Sequence, residues 1–280
     1  MLRVAESLGS LAALRGTLPA LGAALLGAPR ALSSGTVPCQ AGIGRYLVTG
    51  GLGHELGDEE PTTAPPRQGS TVVLVSGGIE SAALLSYWCH WDMKERLLPV
   101  YIDYGQKNRQ EEEHAMLALC RHLGLELNAI NASMVAHQLN MAKPRGRYHD
   151  PLPHRNLLLL SLAASFAADT GATNVAICLN RDHLGTYSSA SLPFLRTVEA
   201  LYGTLDPPAQ LLMPLLGLRA DQIITLGEHV KAPWHLTYSC AEGKATPCGR
   251  CPSCERRAAA FDRADVKDTL LECRVHKGRK

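Results

Sequence analysis

The stretch "TVVLVSGGIESAALLSYW", Thr71 to Trp88, constrains the fold more than any other part of the chain. A β-branched run with no polar alternation makes a strand that water touches on neither face, so helices must cover both sides. Ser-Gly-Gly ends that strand, and a helix-like apolar pattern over Ala82 to Cys89 follows. The same order then repeats. "LLPVYID" (Leu97 to Asp103) reads as a strand and Gln110 to Leu123 as a helix closed by Gly124; "LELNAIN" is a third strand. "RNLLLLSLAASFAADTG" is a long helix ending at Gly171, and "TNVAICL" a fourth strand. These segments predict an α/β fold with a mainly parallel sheet flanked by helices. In such sheets ligands sit beyond the carboxyl ends of the strands, where the loops after Val75, Asp103 and Leu179 converge.

The remaining chain is organised around this core. With 280 residues, 46% of them hydrophobic, the chain can bury one domain plus appendages. A formal net charge of +2 gives no long nucleic-acid track and favours a small, locally read ligand. Residues 1–69 differ in composition and form an N-terminal extension and linker. Met1 to Gly35 is rich in Ala, Leu, Gly and Ser, with Arg3, Arg15 and Arg30 against a single acid, Glu6. That composition fits an organelle transit peptide, which would make the protein mitochondrial, or an extended start in an Ala- and Arg-rich coding sequence, which leaves it cytoplasmic. No apolar run reaches spanning length without Gly or Pro, so no membrane partner is expected. "RYLVTGGLGHELG" misses dinucleotide-loop spacing, and "GDEEPTTAPPRQGS" reads as a linker. The expected domain spans residues 70–235, with a metal-binding region at 236–280.

The glycine turn has a physical reading. Ser76-Gly77-Gly78-Ile79-Glu80-Ser81 leaves a strand and enters a helix. Two glycines let the backbone approach an anion closely, and the helix N-terminus points unpaired N–H donors at it. No Gly-Lys-Ser/Thr ending follows, so γ-phosphate hydrolysis is not implied. The stretch resembles the Ser-Gly-Gly-x-Asp-Ser loop of the PP-loop ATP pyrophosphatases, with Glu80 where those proteins have Asp. That resemblance implies an adenine nucleotide alpha hydrolase-like fold, ATP held at Ser76, Gly77, Gly78, Glu80 and Ser81, and Mg2+ beside its phosphates. "YIDYGQKNRQEEEHA" (Tyr101 to Ala115) is similar to the Asp-Tyr-Gly-Gln segment of one subgroup, which places Asp103, Tyr104 and Gln106 near the nucleotide.

At the other end, Cys240, Cys248, Cys251 and Cys254 are spaced C-x7-C-x2-C-x2-C. Four soft thiolates on short turns suit a closed, tetrahedral, structural Zn2+ site. This clustering also favours a reducing compartment over a disulfide framework. Cys39, Cys89, Cys120, Cys178 and Cys273 have no comparable spacing and read as buried or incidental thiols.

Glycine loop, Asp-Tyr-Gly-Gln segment and four-cysteine tail together resemble the 7-cyano-7-deazaguanine synthase (QueC) family over Thr71 to Phe261. "LPHRNLLLLSLAA" is similar to the family's Pro-x-Arg-Asn helix entry, which implies contacts from Arg155 and Asn156 to the adenylate or phosphates. Asp182 and Tyr187 match the next segment, but Ser188, Ser189, Ala190 and Ser191 stand where the family has Pro-Asp-Cys-Arg. Arg219 takes the place of a family Lys after a Pro-Leu strand, keeping charge while losing the point-like ammonium. His183 reads either as a general base or as a loop histidine. The resemblance therefore implies Glu80, Asp103, Arg155, Asp182 and Arg219 as the catalytic set. Its reaction would adenylate 7-carboxy-7-deazaguanine and convert it with ammonia, through the amide, to the nitrile. Two other readings stay open. One is a relative that passes the activated deazapurine to another amine, including one on a protein, in anti-phage defence; the other is a non-catalytic ATP-binding adaptor. Whether the protein is a homodimer is likewise open.

Overall fold

The computed structural model describes residues 63–138, 152 and 154–270, all within the compact unit Gln40–Lys280. The leader-like segment, the "RYLVTGG" stretch, Pro153, Cys39 and Cys273 lie outside the described residues. In order come β1 (Thr71–Val75), α1 (Ile79–His90), β2 (Leu97–Asp103), α2 (Arg109–Leu123), β3 (Asn128–Asn131) and α3 (Met134–Gln138). They are followed by α4 (Arg155–Thr170), β4 (Asn174–Ile177), α5 (Leu192–Tyr202), β5 (Gln210–Leu212), α6 (Ala220–His229) and α7 (Pro252–Arg263).

The strands form one five-stranded sheet in the order β3-β2-β1-β4-β5, with every pairing parallel. Residues of β1 are buried throughout, as a strand between two helical layers must be. Its side chains divide by parity. Val73 and Val75, with Tyr101 and Ala176, pack under α1, α2, α6 and α7. Val72 and Leu74, with Val100, Ile102, Val175, Ile177 and Leu211, pack under α4 and α5. The apolar run thus feeds two cores at once. α1 is buried along nearly its whole length, which explains why its apolar residues show no one-sided stripe.

Predicted and observed elements agree closely through β4 apart from the five-residue α3, which the sequence reading did not include, and α2 and α4 end at Gly124 and Gly171 as expected. β3 is shorter than the expected strand, because Leu125 to Leu127 form the irregular connection from Gly124 to the sheet. β5 escapes sequence reading: it has three residues, a length at which periodicity carries no information. The chain is tied to the domain before the first strand. Trp88 Nε1 donates to the Thr63 carbonyl at 3.0 Å, and Asn174 Nδ2 donates to that of Gln68 at 3.0 Å. At the other end, Ala260 and Phe261 of α7 enter the main core. No helix among the described residues is long and apolar enough to cross a membrane.

Candidate active site

β1 and β4 are neighbours, yet α1 leaves β1 on one face of the sheet and α4 approaches β4 on the other. This is the topological switch point, and the glycine turn opens into it. Gly77 adopts the left-handed backbone, φ +78°. A Cβ there would stand 3.0 Å from both the Glu112 carbonyl oxygen and the Ala115 Cβ, so only glycine fits without strain. Gly78 is the N-cap of α1 and supplies no side-chain cap, so no N-cap side chain occupies the N–H donors of the first helical turn, the arrangement that suits an anion. The turn is closed internally by Ser76 N–H donating to Ser81 Oγ at 3.0 Å. Beside it, burial pushes the Cys178 thiol up to about 12, so this sulfur is an inert neighbour.

Glu80, in the first turn of α1, has its two carboxylate oxygens in different surroundings. Oε1 accepts from Asn180 Nδ2 at 2.9 Å, across the crevice. Oε2 lies over the turn, 3.2 Å from where a Cβ on Gly78 would be.

The loop after β2 is built as a network. Asp103 Oδ1 accepts from Gly105 N–H at 2.8 Å, and its other oxygen faces Arg109 Nε at 3.7 Å. The Gln106 side chain is buried: its oxygen accepts from Tyr104 N–H, and its nitrogen donates to Tyr101 Oη and to Glu112 Oε2, each at 2.9 Å. Its amide therefore shapes the loop that carries Asp103 and Tyr104. Arg155, the first residue of α4, reaches the same loop, with Nη1 3.4 Å from Tyr104 Oη.

Sequence reasoning passed over Glu112. It lies beneath the glycine turn and also accepts from Asn108 Nδ2 at 2.8 Å. Burial pushes its carboxyl up to about 7, against the opposing pull of hydrogen bonds from Gln106, Asn108 and Tyr101 and the charge of Arg155. A signal was present: Glu112 leads the buried stripe Ala115, Met116, Leu119 of α2, the spacing of one helix face.

The acceptor side is looser. Asp182 is exposed, and its Oδ2 accepts from Ala220 N–H at 2.9 Å, so it caps α6. Arg219 is exposed and forks onto Asp221 at 2.8 and 3.1 Å, hydrogen bonds that hold the Asp221 carboxyl below the usual range. Asn156 is buried and donates to the Ser189 carbonyl at 2.8 Å, fastening the Ser188–Ala190 turn to α4. His183 Nδ1 accepts from Asn180 N–H at 3.3 Å within its own turn.

Behind the glycine turn, the sulfurs of Cys240, Cys248, Cys251 and Cys254 all lie within 4.8 Å of one another. A tetrahedral site with metal–sulfur bonds of about 2.3 Å has edges near 3.8 Å, so the four thiols fit a metal ion. This loop grips the glycine turn and the loop after β2 directly. Tyr238 N–H donates to the Gly77 carbonyl at 2.7 Å, and Lys107 Nζ pairs with Glu242 at 2.7 Å. Gly243 packs so tightly that a Cβ would come within 2.3 Å of the Lys107 carbonyl. Arg257 backs the assembly: buried against Asp268, it also donates to Thr237 Oγ1 and Ser239 Oγ, the two residues flanking Tyr238.

A glycine turn at the switch point of a parallel sheet, buttressed by a thiol cluster, is the arrangement that the resemblance to the PP-loop ATP pyrophosphatases implied. Comparison with known proteins narrows this. Residues 70–265 match the family model described as queuosine biosynthesis protein QueC, and the chain belongs to that family. Among its relatives are proteins named 7-cyano-7-deazaguanine synthase. The one from Methanosarcina barkeri is 28% identical over 72% of this chain and 97% of its own length. That from Archaeoglobus fulgidus is 31% identical over 71% of this chain and 89% of its own, and that from Leptospira interrogans 30% identical over 70% and 88%.

Proposed function

We propose that the protein is an ATP-dependent carbon–nitrogen ligase that converts 7-carboxy-7-deazaguanine and ammonia to 7-cyano-7-deazaguanine. The observation that carries this reading is the uncapped, glycine-lined entry of α1 at the switch point, in a chain of the QueC family. The substrate carboxylate attacks the α-phosphorus of ATP, pyrophosphate leaves, and an acyl adenylate forms. Ammonia then displaces AMP to give the amide. A second ATP adenylates the amide oxygen, and loss of AMP and a proton leaves the nitrile. AMP is a good leaving group, so the protein's work is to position charged reactants and offset developing charge.

In this reading Ser76, Gly77, Gly78 and Ser81 form the phosphate turn. Glu80 and Asp103 are the carboxylates for Mg2+, an ion that is held through one or two carboxylates plus substrate phosphates and draws charge from the leaving pyrophosphate. Arg155 and Tyr104 flank the adenylate, while Asn156 and Gln106 hold the surrounding loops. Asp182 and Arg219 face the deazapurine and its carboxylate. Cys240, Cys248, Cys251 and Cys254 bind Zn2+, which closes the loop that carries Tyr238.

The test is a mass-resolved assay of purified protein with ATP, Mg2+, ammonia and 7-carboxy-7-deazaguanine. Nitrile and AMP are expected together, two AMP per nitrile. Absence of AMP sinks the ligase reading. AMP without nitrile favours a second reading, transfer to a larger amine such as one on a protein. What supports that alternative is the exposure of Asp182 and of Tyr187, which is 40% exposed, on the acceptor side.

A further inference from the structure

Asn180 is 1% exposed, and its side chain works at both ends. Its Oδ1 accepts from His183 N–H at 3.1 Å, capping the turn Arg181–His183. That bond orients the amide, so the NH2 group faces Glu80 Oε1. A carboxylate in the first turn of a helix is drawn toward the helix's own N–H groups, the donors a phosphate needs. Left free, Glu80 would compete with the nucleotide for its cradle.

We propose that Asn180 is a positioning residue: it holds Glu80 sideways by one oxygen and leaves the other over the glycine turn. The inference rests on the ATP-site reading above. The glutamate length matters, because the carboxylate must reach from α1 to the loop after β4. Asn180 thereby joins the two sides of the crevice. Its turn carries Asp182, which caps α6 beside Arg219, so a shift on the acceptor side is felt at the phosphate turn.

Asn180→Asp separates this role from the cap. It keeps the acceptor for His183 N–H but sets a carboxylate against Glu80. We expect a lowered melting temperature, because a second carboxylate is buried against Glu80, and, in protein assayed well below that temperature, AMP formation about tenfold lower, the size of losing a hydrogen bond to a charged group. Mg2+-dependent ATP binding, read by calorimetry, should weaken in parallel. Glu80→Asp shortens the reach and should lose a similar factor, and combining it with Asn180→Asp should add little. Glu80→Asp with Asn180→Gln moves one methylene across the pair and should recover activity relative to Glu80→Asp alone.

Asn180→Asp with wild-type AMP formation and wild-type Mg-ATP affinity overturns the inference, as do losses from Asn180→Asp and Glu80→Asp that multiply. Wild-type protein that binds Mg-ATP but yields no AMP overturns the ligase reading, and the role of Asn180 is then decided by the affinities. Wild-type protein that binds no ATP overturns both.

Discussion

The two sides of the crevice are built differently. On the nucleotide side, the glycine turn is held by main-chain and buried contacts: Tyr238 N–H on the Gly77 carbonyl, Ala115 and the Glu112 carbonyl beneath Gly77, and Gly243 against Lys107. On the side of the loop after β4, Asp182, Tyr187 and Arg219 are exposed; Arg219 pairs with its near neighbour Asp221, and Asp182 reaches across to Ala220 N–H. The first arrangement fixes the backbone shape of the glycine turn. The second leaves side chains free to change without disturbing the core, which is where substrate choice can diverge.

This contrast predicts a graded series of substitutions. The largest loss should come from Arg257→Met, which leaves Asp268 buried without its partner and releases Thr237 and Ser239. Breaking such a pair costs about 3–5 kcal/mol. Chemical denaturation should show that loss, and ATP binding should weaken with it. Gly77→Ala comes next. Left-handed backbone at a non-glycine residue costs about 1–2 kcal/mol, and the contact with the Glu112 carbonyl adds to it. ATP affinity should fall out of proportion to stability, because the strain lies in the phosphate turn.

Third is a pH effect. The Glu112 carboxyl rises from 4.5 to about 7 on folding. Its contribution to stability is therefore fully present below its ordinary value and lost as pH rises through about 7. Wild type should show a component of unfolding free energy that declines across this window. Glu112→Gln should remove that slope; the difference in slope between the two proteins, measured by denaturation at several pH values, is the readout. The smallest stability change should be at Arg219. Arg219→Ala breaks an exposed pair with Asp221 and should shift unfolding by less than about 0.5 kcal/mol, while turnover with the deazapurine drops. A large loss of stability at Arg219, or none at Arg257, breaks the comparison.

Legibility in the sequence follows the same division. The strand, glycine turn and helix could be read from Thr71 to Trp88 because neighbouring residues dictate that geometry. The four cysteines could be read because thiols gathered on short turns leave a spacing. Three features left no such trace. Asn180 sits in an ordinary loop, and its role exists only where β4 lies beside β1. Arg257 is one of two adjacent arginines, and nothing local says which is buried against Asp268. Glu112 is the middle of three glutamates, distinguished only by its register on the apolar face of α2. Gln106 shows the converse: its place beside Asp103 and Tyr104 was legible, but the inward turn of its amide toward Tyr101 and Glu112 was not.

The hydrogen bond from Tyr238 to Gly77 joins nearly opposite ends of the described chain. As the polypeptide leaves the ribosome, β1 and the glycine turn appear early, but the residue that locks the turn is made only after β5 and α6. Pairings this distant in sequence are closed late and slowly. The glycine turn should thus be the last part of the domain to acquire its final shape, waiting on the synthesis of the thiol-bearing loop.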